Sequence, residues 1–417
     1  MFSNRLLVVL VAGAFLAAGC HGPRMELTRP IVANTAVTDA AFRDSLAAVI
    51  GTPFVGGNRI TRLLNGDEIF PSMLQAIVAA TNTIMFENYL WSSGPLSDQF
   101  IAALTERARA GVDVRMIVDS FGSNIDAADV KRLRAAGAKL IFYNPPFPHF
   151  IHRLNFRDHR KLLIVDGAVG FSGGACIADA WTGKAEASEK WRDTHFRIEG
   201  PLVAQLQGVF ADNWLKTQGE LIFGEKFFPT LEPRGDCVAQ AFKSSPEGPR
   251  ETTRLVYLSA IAGARKNIRI AQSYFVPDEL SIQALIDACQ RGVRVEIITP
   301  SHIDAGAVRR ASRSLWPRLL KSGVIFYEYG PAMYHCKIMI VDDYFVTAGS
   351  VNFDERSFHI NDESNINVLD RGLADQLITD FERDKAQSTQ MTLRRMKRTA
   401  WYKRAYESLA GLFRSQM

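Results

Sequence analysis

Cysteine is scarce in this chain: five among 417 residues, with no C-x-x-C pair. That excludes a disulfide-stapled scaffold and argues against structural zinc or thioredoxin-like chemistry. No sign of charge dominates either. The 49 basic and 44 acidic residues leave a net +5, a mild bias toward anionic partners and far short of a dedicated nucleic-acid binder. Long hydrophobic runs are also missing. The apolar run from Leu6 to Ala18 is too short to cross a bilayer core of ~30 Å as a helix, and no later stretch is long enough, so the body is expected to be soluble and tethered at most. With 30 Gly and 17 Pro the chain is neither collagen-like nor a low-complexity tail. What it does have is a 47% hydrophobic composition and enough length for two or three domains with cores of their own.

Arg5 ahead of the apolar run, and small residues before Cys20, fit an export signal over residues 1–20. The ending is similar to the bacterial lipoprotein cleavage box, which implies a lipid anchor on Cys20, although Ala17 stands where that box usually carries Leu. An ordinary signal peptide or a short uncleaved anchor is the other reading. Either implies a membrane-associated protein of the bacterial cell envelope, facing the periplasm.

Residues 21–56 lack strong periodicity and read as a spacer. Beyond them the chain repeats itself. Ile84 to Tyr89 reads as a buried strand, a helix-period stretch runs through Phe100, Leu104 and Ala108, and Gly111 opens a β-branched strand to Asp119. The second half has Ile268 to Tyr274, then Ile282, Leu285 and Cys289, then Gly292 and a strand to Pro300. A glycine at each helix end suits a left-handed C-cap. This order predicts an α/β fold of two similar αβα-layered lobes, an internal duplication with a pseudo-two-fold, each lobe carrying a largely parallel sheet. The lobes are expected over 57–235 and 236–390, divided near Pro233 to Asp236 or Ser244 to Pro249, with a tail over 391–417.

The chemistry falls on two matched strands. His159-x-Lys161 is followed by Asp166, and His335-x-Lys337 by Asp342; both read H-x-K-x-x-x-x-D, and 335 − 159 = 176. Two such matches at corresponding places of a repeat are a strong signal. Residues two apart on a strand share a face, so each His and Lys project together. Asp lies an odd number of residues from His, at a turn signal such as Asp166-Gly167, so both aspartates are expected to support the strand rather than to react. A neutral imidazole can attack phosphorus while a second, protonated one serves the leaving oxygen, and lysine offsets charge developing on phosphoryl oxygens. One motif supplies one such group. Two copies supply both, in one active site at the lobe interface.

With these residues the chain resembles the phospholipase D superfamily, and within it the bacterial cardiolipin synthases. Longer strings carry the likeness: Arg157 to Gly167, Trp191-Arg-Asp-Thr-His195, Tyr274-Phe-Val-Pro-Asp278, Ala311-Ser-Arg-Ser314 and Gly349 to Phe358. The resemblance implies a metal-free and cofactor-free reaction through a phosphohistidine on His159, with His335 as acid and then base. It implies that Lys161, Lys337 and Asn352, helped by Ser350, hold the phosphoryl oxygens, with Gly173 and Gly174 at the first-lobe substrate position. The motif-flanking acids would orient the histidines across the interface, Glu363 on His159 and Asp193 on His335. Glu87 matches a recurrent acidic position of open role, and Gln272 is read as its repeat counterpart. One departure is clear: Cys176 stands where the repeat, through Asn352, expects Asn, and a thiol is a weak donor, so two unequal phosphate subsites are expected.

Other signals are weaker. His149 and His152 lie in a Pro- and Phe-rich loop with no carboxylate spaced to complete a metal site, and an apolar lip is the better reading. Cys336 should be a packed core thiol on the far strand face. Arg394, Arg395, Lys397, Arg398, Lys403 and Arg404, with Trp401, Ala405, Leu409 and Leu412 at helical spacing, suggest a basic amphipathic tail on an anionic membrane surface. A solvated helix docking on the body is the alternative. The reading is a monomeric phosphatidyltransferase that moves a phosphatidyl group between two phosphatidylglycerol molecules, releases glycerol and binds no nucleic acid. A hydrolytic phospholipase D is the nearest rival. A nuclease or a non-catalytic membrane-binding lipoprotein comes after it.

Overall fold

The computed structural model describes residues 27–145, 155–248 and 251–397. The export signal with Cys20, the His149 and His152 loop, and the tail beyond Lys397 lie outside the described residues.

Seven strands of the first half are β1 Val55–Leu64, β2 Thr83–Asn88, β3 Asp113–Asp119, β4 Lys139–Tyr143, β5 Lys161–Val165, β6 Val169–Gly173 and β7 Thr194–Glu199. The second half adds β8 Cys237–Ser244, β9 Asn267–Gln272, β10 Arg294–Pro300, β11 Ile325–Tyr329, β12 Lys337–Val341, β13 Phe345–Gly349, β14 Glu363–Leu369 and β15 Ser388–Met391. All fifteen form one sheet in the order β15-β11-β10-β9-β12-β13-β14-β8-β1-β7-β6-β5-β2-β3-β4. Without β15 the order is a palindrome about the β8–β1 junction, which is the pseudo-two-fold of the repeat.

The sheet is mixed, not largely parallel as the strand–helix alternation predicted. Only β2-β3-β4 and β9-β10-β11 run parallel. Each motif strand instead turns back through a hairpin (β5 to β6, β12 to β13) and lies antiparallel to both neighbours. Alternation of side chains explains the layers. Leu162, Ile164, Ile338 and Ile340 face a core shared by both halves and roofed by helices Leu202–Gln218 and Arg371–Ala386. Leu163 and Val165 face a core private to the first half, and Met339 and Val341 one private to the second. Pro95 starts helix Pro95–Arg109, and Gly111 at φ 91° turns its far end directly into β3.

The segment expected as a spacer is partly folded. Helix Ala40–Ile50 buries Phe42 and Leu46 in the second-half core, with Phe42 edge-on to Phe345 at 5.8 Å. Two buried side chains on a short helix leave little periodicity to read. The tail is described only to Lys397, where helix Leu393–Lys397 inserts Met396 into the same core.

The motif aspartates close the hairpins at the strand ends opposite the histidines. Asp166 and Asp342 adopt positive φ. The Asp166 carboxylate accepts the backbone N–H groups of Thr81, Asn82 and Thr83, and that of Asp342 those of Arg265, Lys266 and Asn267. Both are tertiary clamps on the turn that enters β2 or β9. Asp342→Ala should lower stability by about 2 kcal/mol through orphaned donors, and Asp342→Asn, which keeps one acceptor, by less than half of that, as read from urea denaturation midpoints.

Candidate active site

His159 and Lys161 enter at the start of β5, and His335 and Lys337 at the start of β12. Each histidine is fixed by the opposite lobe. The His159 backbone N–H donates to the Asp362 carbonyl at 2.9 Å, and that of His335 to the Arg192 carbonyl at 2.8 Å. The residue after each carbonyl then reaches the ring: Glu363 lies 2.9 Å from His159 Nδ1, and Asp193 lies 2.7 Å from His335 Nδ1. In both cases an Nδ1–H donor to the carboxylate leaves Nε2 for chemistry. Both imidazoles line a single cavity of about 330 Å³, whose wall includes Tyr89, Arg157, Lys161, Cys176, Trp181, Trp191, Tyr274, Asn352 and Arg356.

The carboxylates are themselves held. Ser350 and Ser357 hydroxyls and the Asn361 amide donate to Glu363 at 2.5, 2.7 and 3.2 Å. The Trp181 indole and the Thr194 amide donate to Asp193 at 2.9 and 2.8 Å. Burial alone would push both acids up, but the adjoining imidazoles, lysines and donors outweigh it and leave both below their ordinary values. Burial pushes His159 down to about 4 against the pull of Glu363, and burial together with Lys337 pushes His335 to about 4 against Asp193. Burial also lowers Lys337 to about 8. Lys337 Nζ sits 3.0 Å from both His335 Nε2 and Ser273 Oγ, and Ser273 donates to Asn352 at 2.7 Å. Lys161 Nζ donates to the His159 carbonyl and lies 5.1 Å from the Tyr89 ring centre.

Several expected site residues stand elsewhere. Ser350 serves Glu363 instead of facing the cavity. Gly173 and Gly174 do not line it: a side chain on Gly173 would strike His195, and one on Gly174 would meet the Asp193 carboxylate at 2.3 Å. They are glycine so that Asp193 and His195 can pack there. Asp166 and Asp342 are the turn clamps already described. Cys176 does line the cavity, as a buried free thiol opposite in the repeat to Asn352. Cys336 is buried in the shared core.

Glu87 lies on the other face of the sheet, where Asn213 donates to it at 2.7 Å and Arg160 approaches to 3.9 Å. Burial raises it to about 6. Register corrects its counterpart. Glu87 opposes Leu162 and Ala271 opposes Ile338, so Ala271, not Gln272, matches it; one extra residue before Tyr274 had hidden this.

The positioning roles of Trp181, Ser273, Ser357 and Asn361 were not foreseen. Ser357 falls in the string Gly349 to Phe358 and could have been found there. Trp181 comes from a short helical turn, Asp179–Trp181, that lies at the 176-residue repeat offset from helix Glu355–His359, so that Trp181 on Asp193 matches Ser357 on Glu363.

The family profile described as "Cardiolipin synthase, PLD-like domain" matches residues 73–214 and 257–385. A cardiolipin synthase of Alkalihalophilus pseudofirmus is 35% identical over 84% of this chain and 70% of its own length. Cardiolipin synthase 2 of Bacillus anthracis is 34% identical over 91% of this chain and 74% of its own. In fold, a phosphatidylserine synthase of Haemophilus influenzae superposes with a TM-score of 0.70 at 14% identity, covering 90% of this chain and 100% of the other.

His159, His335 and His195 are each pushed to about 4 by burial, against ~6.5 in an unfolded chain. Protonation therefore favours unfolding, and the stability that the neutral rings lend is full above pH ~6.5 and lost as pH falls toward 4. The melting temperature measured across that window should fall steadily; a flat profile would contradict the buried neutral rings.

Proposed function

The chain belongs to the phospholipase D-like cardiolipin synthase family and is a phosphatidyltransferase of that type; from that premise we propose that it moves a phosphatidyl group from one phosphatidylglycerol to another by way of a phosphohistidine. Neutral His159 attacks phosphorus through Nε2. His335, carrying a proton on Nε2, gives it to the departing glycerol oxygen and then takes the proton of the incoming hydroxyl. Asp193 and Glu363 hold the rings in the required tautomer and stabilise the charged forms. Lys161, Lys337 and Asn352 offset charge on the phosphoryl oxygens.

The observation that carries this reading is that two imidazoles, each backed by a carboxylate of the opposite lobe, line one cavity. A phosphodiester anion beside His335 would raise that ring from its resting value, so substrate itself promotes the protonated acid. The weaker donor at Cys176 makes the two phosphoryl subsites unequal. One chain supplies both histidines, so a monomer carries a whole site. The phospholipid substrate places the enzyme at a membrane surface, with a lipidated Cys20 and the basic tail as its anchors.

Mass spectrometry of products from phosphatidylglycerol and the purified full chain tests this. Wild type should yield cardiolipin and glycerol, and His159→Ala or His335→Ala should cut the rate by about 10³-fold. Phosphatidic acid as sole product rejects the synthase; unchanged rates in the variants reject the site.

A further inference from the structure

Two guanidinium groups line the cavity without taking part in the arrangement around the imidazoles. Arg157 precedes β5 in the first lobe, and Arg356 belongs to helix Glu355–His359 in the second. Both are half-buried and share the cavity wall with His159 and His335. Arg157 rests 4.0 Å from the centre of the Phe121 ring, and Phe121 is 47% exposed, so this part of the wall is the rim. Arg356 reaches back across the interface and donates to the Asn155 side chain at 2.9 Å and to its carbonyl at 2.6 Å. After burial, the charge of Arg157 is the next cause that lowers Arg356. Two cations that disfavour each other are relieved by an anion between them. The carboxylates on the same wall are already engaged. Asp304 accepts from the Tyr274 hydroxyl and the Ala305 amide, and Asp354 from the Ser357 amide.

The chemistry asks for such an anion site. When one phosphorus sits between the histidines, an acceptor phosphatidylglycerol brings a second phosphodiester, on the same glycerol as its reacting hydroxyl. Water brings none. We propose that Arg157 and Arg356, one from each lobe, form the subsite for the phosphodiester of the acceptor lipid, and so select a charged lipid alcohol over water or a neutral alcohol. This rests on the transferase reading above. In the step concerned, the bond from His159 Nε2 to phosphorus breaks, the bond from the acceptor oxygen to phosphorus forms, and the hydroxyl proton passes to His335.

The test gives the full chain, in neutral-detergent micelles, two competing acceptors: phosphatidylglycerol itself and 1-propanol. The ratio of cardiolipin to phosphatidylpropanol is measured for wild type, Arg157→Gln, Arg356→Gln and the double variant. Loss of charge-assisted bonds should lower the ratio by about tenfold in each single variant, with partial recovery in Arg157→Lys and Arg356→Lys. The Lys variants also serve if either Gln variant fails to fold. A ratio that moves less than threefold in all variants overturns the arginine subsite. So does an unchanged ratio with both products reduced, because the arginines would then serve the donor. Wild type that transfers to neither acceptor sinks the transferase reading instead, which separates the two failures.

Discussion

Each motif imidazole is held at two points by the lobe that does not contain it. A backbone N–H to carbonyl bond sets the height of the chain, and a carboxylate one residue on sets the ring. Neither lobe alone therefore has an ordered site, because His159 without Glu363, or His335 without Asp193, would be a buried ring with an unengaged Nδ1. The continuous sheet and the shared core beneath it follow from this requirement. Two lobes that must meet to within hydrogen-bond tolerance are best joined by strand pairing at β8 and β1 and by one hydrophobic layer common to both.

The duplication is close in backbone and unequal in charge. Between His159 and Lys161 stands Arg160, wholly buried, with Asp362 at 3.5 Å and Asp212 at 3.3 Å; Asp362 also accepts from Tyr143 and from Lys216. The matching position between His335 and Lys337 is Cys336, and the cation is transferred to Arg192, which pairs with Asp384 at 2.9 Å. Each side thus braces the carbonyl that anchors a histidine with a buried ion pair, using residues drawn from opposite positions of the repeat. Buried ion pairs of this kind specify geometry more than they add stability. With Asn352 on one side of the repeat and Cys176 on the other, both lining the cavity, they leave two half-sites that share a scaffold and differ in their donors.

What the sequence determined by itself was whatever depends on spacing along one chain. The two H-x-K-x-x-x-x-D strands, their shared face, the turn role of Asp166 and Asp342, and the helix ends at Gly111 and Gly292 all follow from strand and helix periods. The internal repeat is visible for the same reason, since a duplicated unit needs the same pattern twice. Tertiary structure decided everything that depends on which strand lies beside which. The mixed sheet, the helix Ala40–Ile50 docked on the second lobe, the Glu87 and Ala271 register, and the packing role of Gly173 and Gly174 have no local signature. Nor does the indole of Trp181 on Asp193, nor the placing of Arg157 and Arg356 on the wall of one cavity. Those placements join residues up to about three hundred positions apart, as in Phe42 against Phe345, and only the packing of the folded chain brings them within reach.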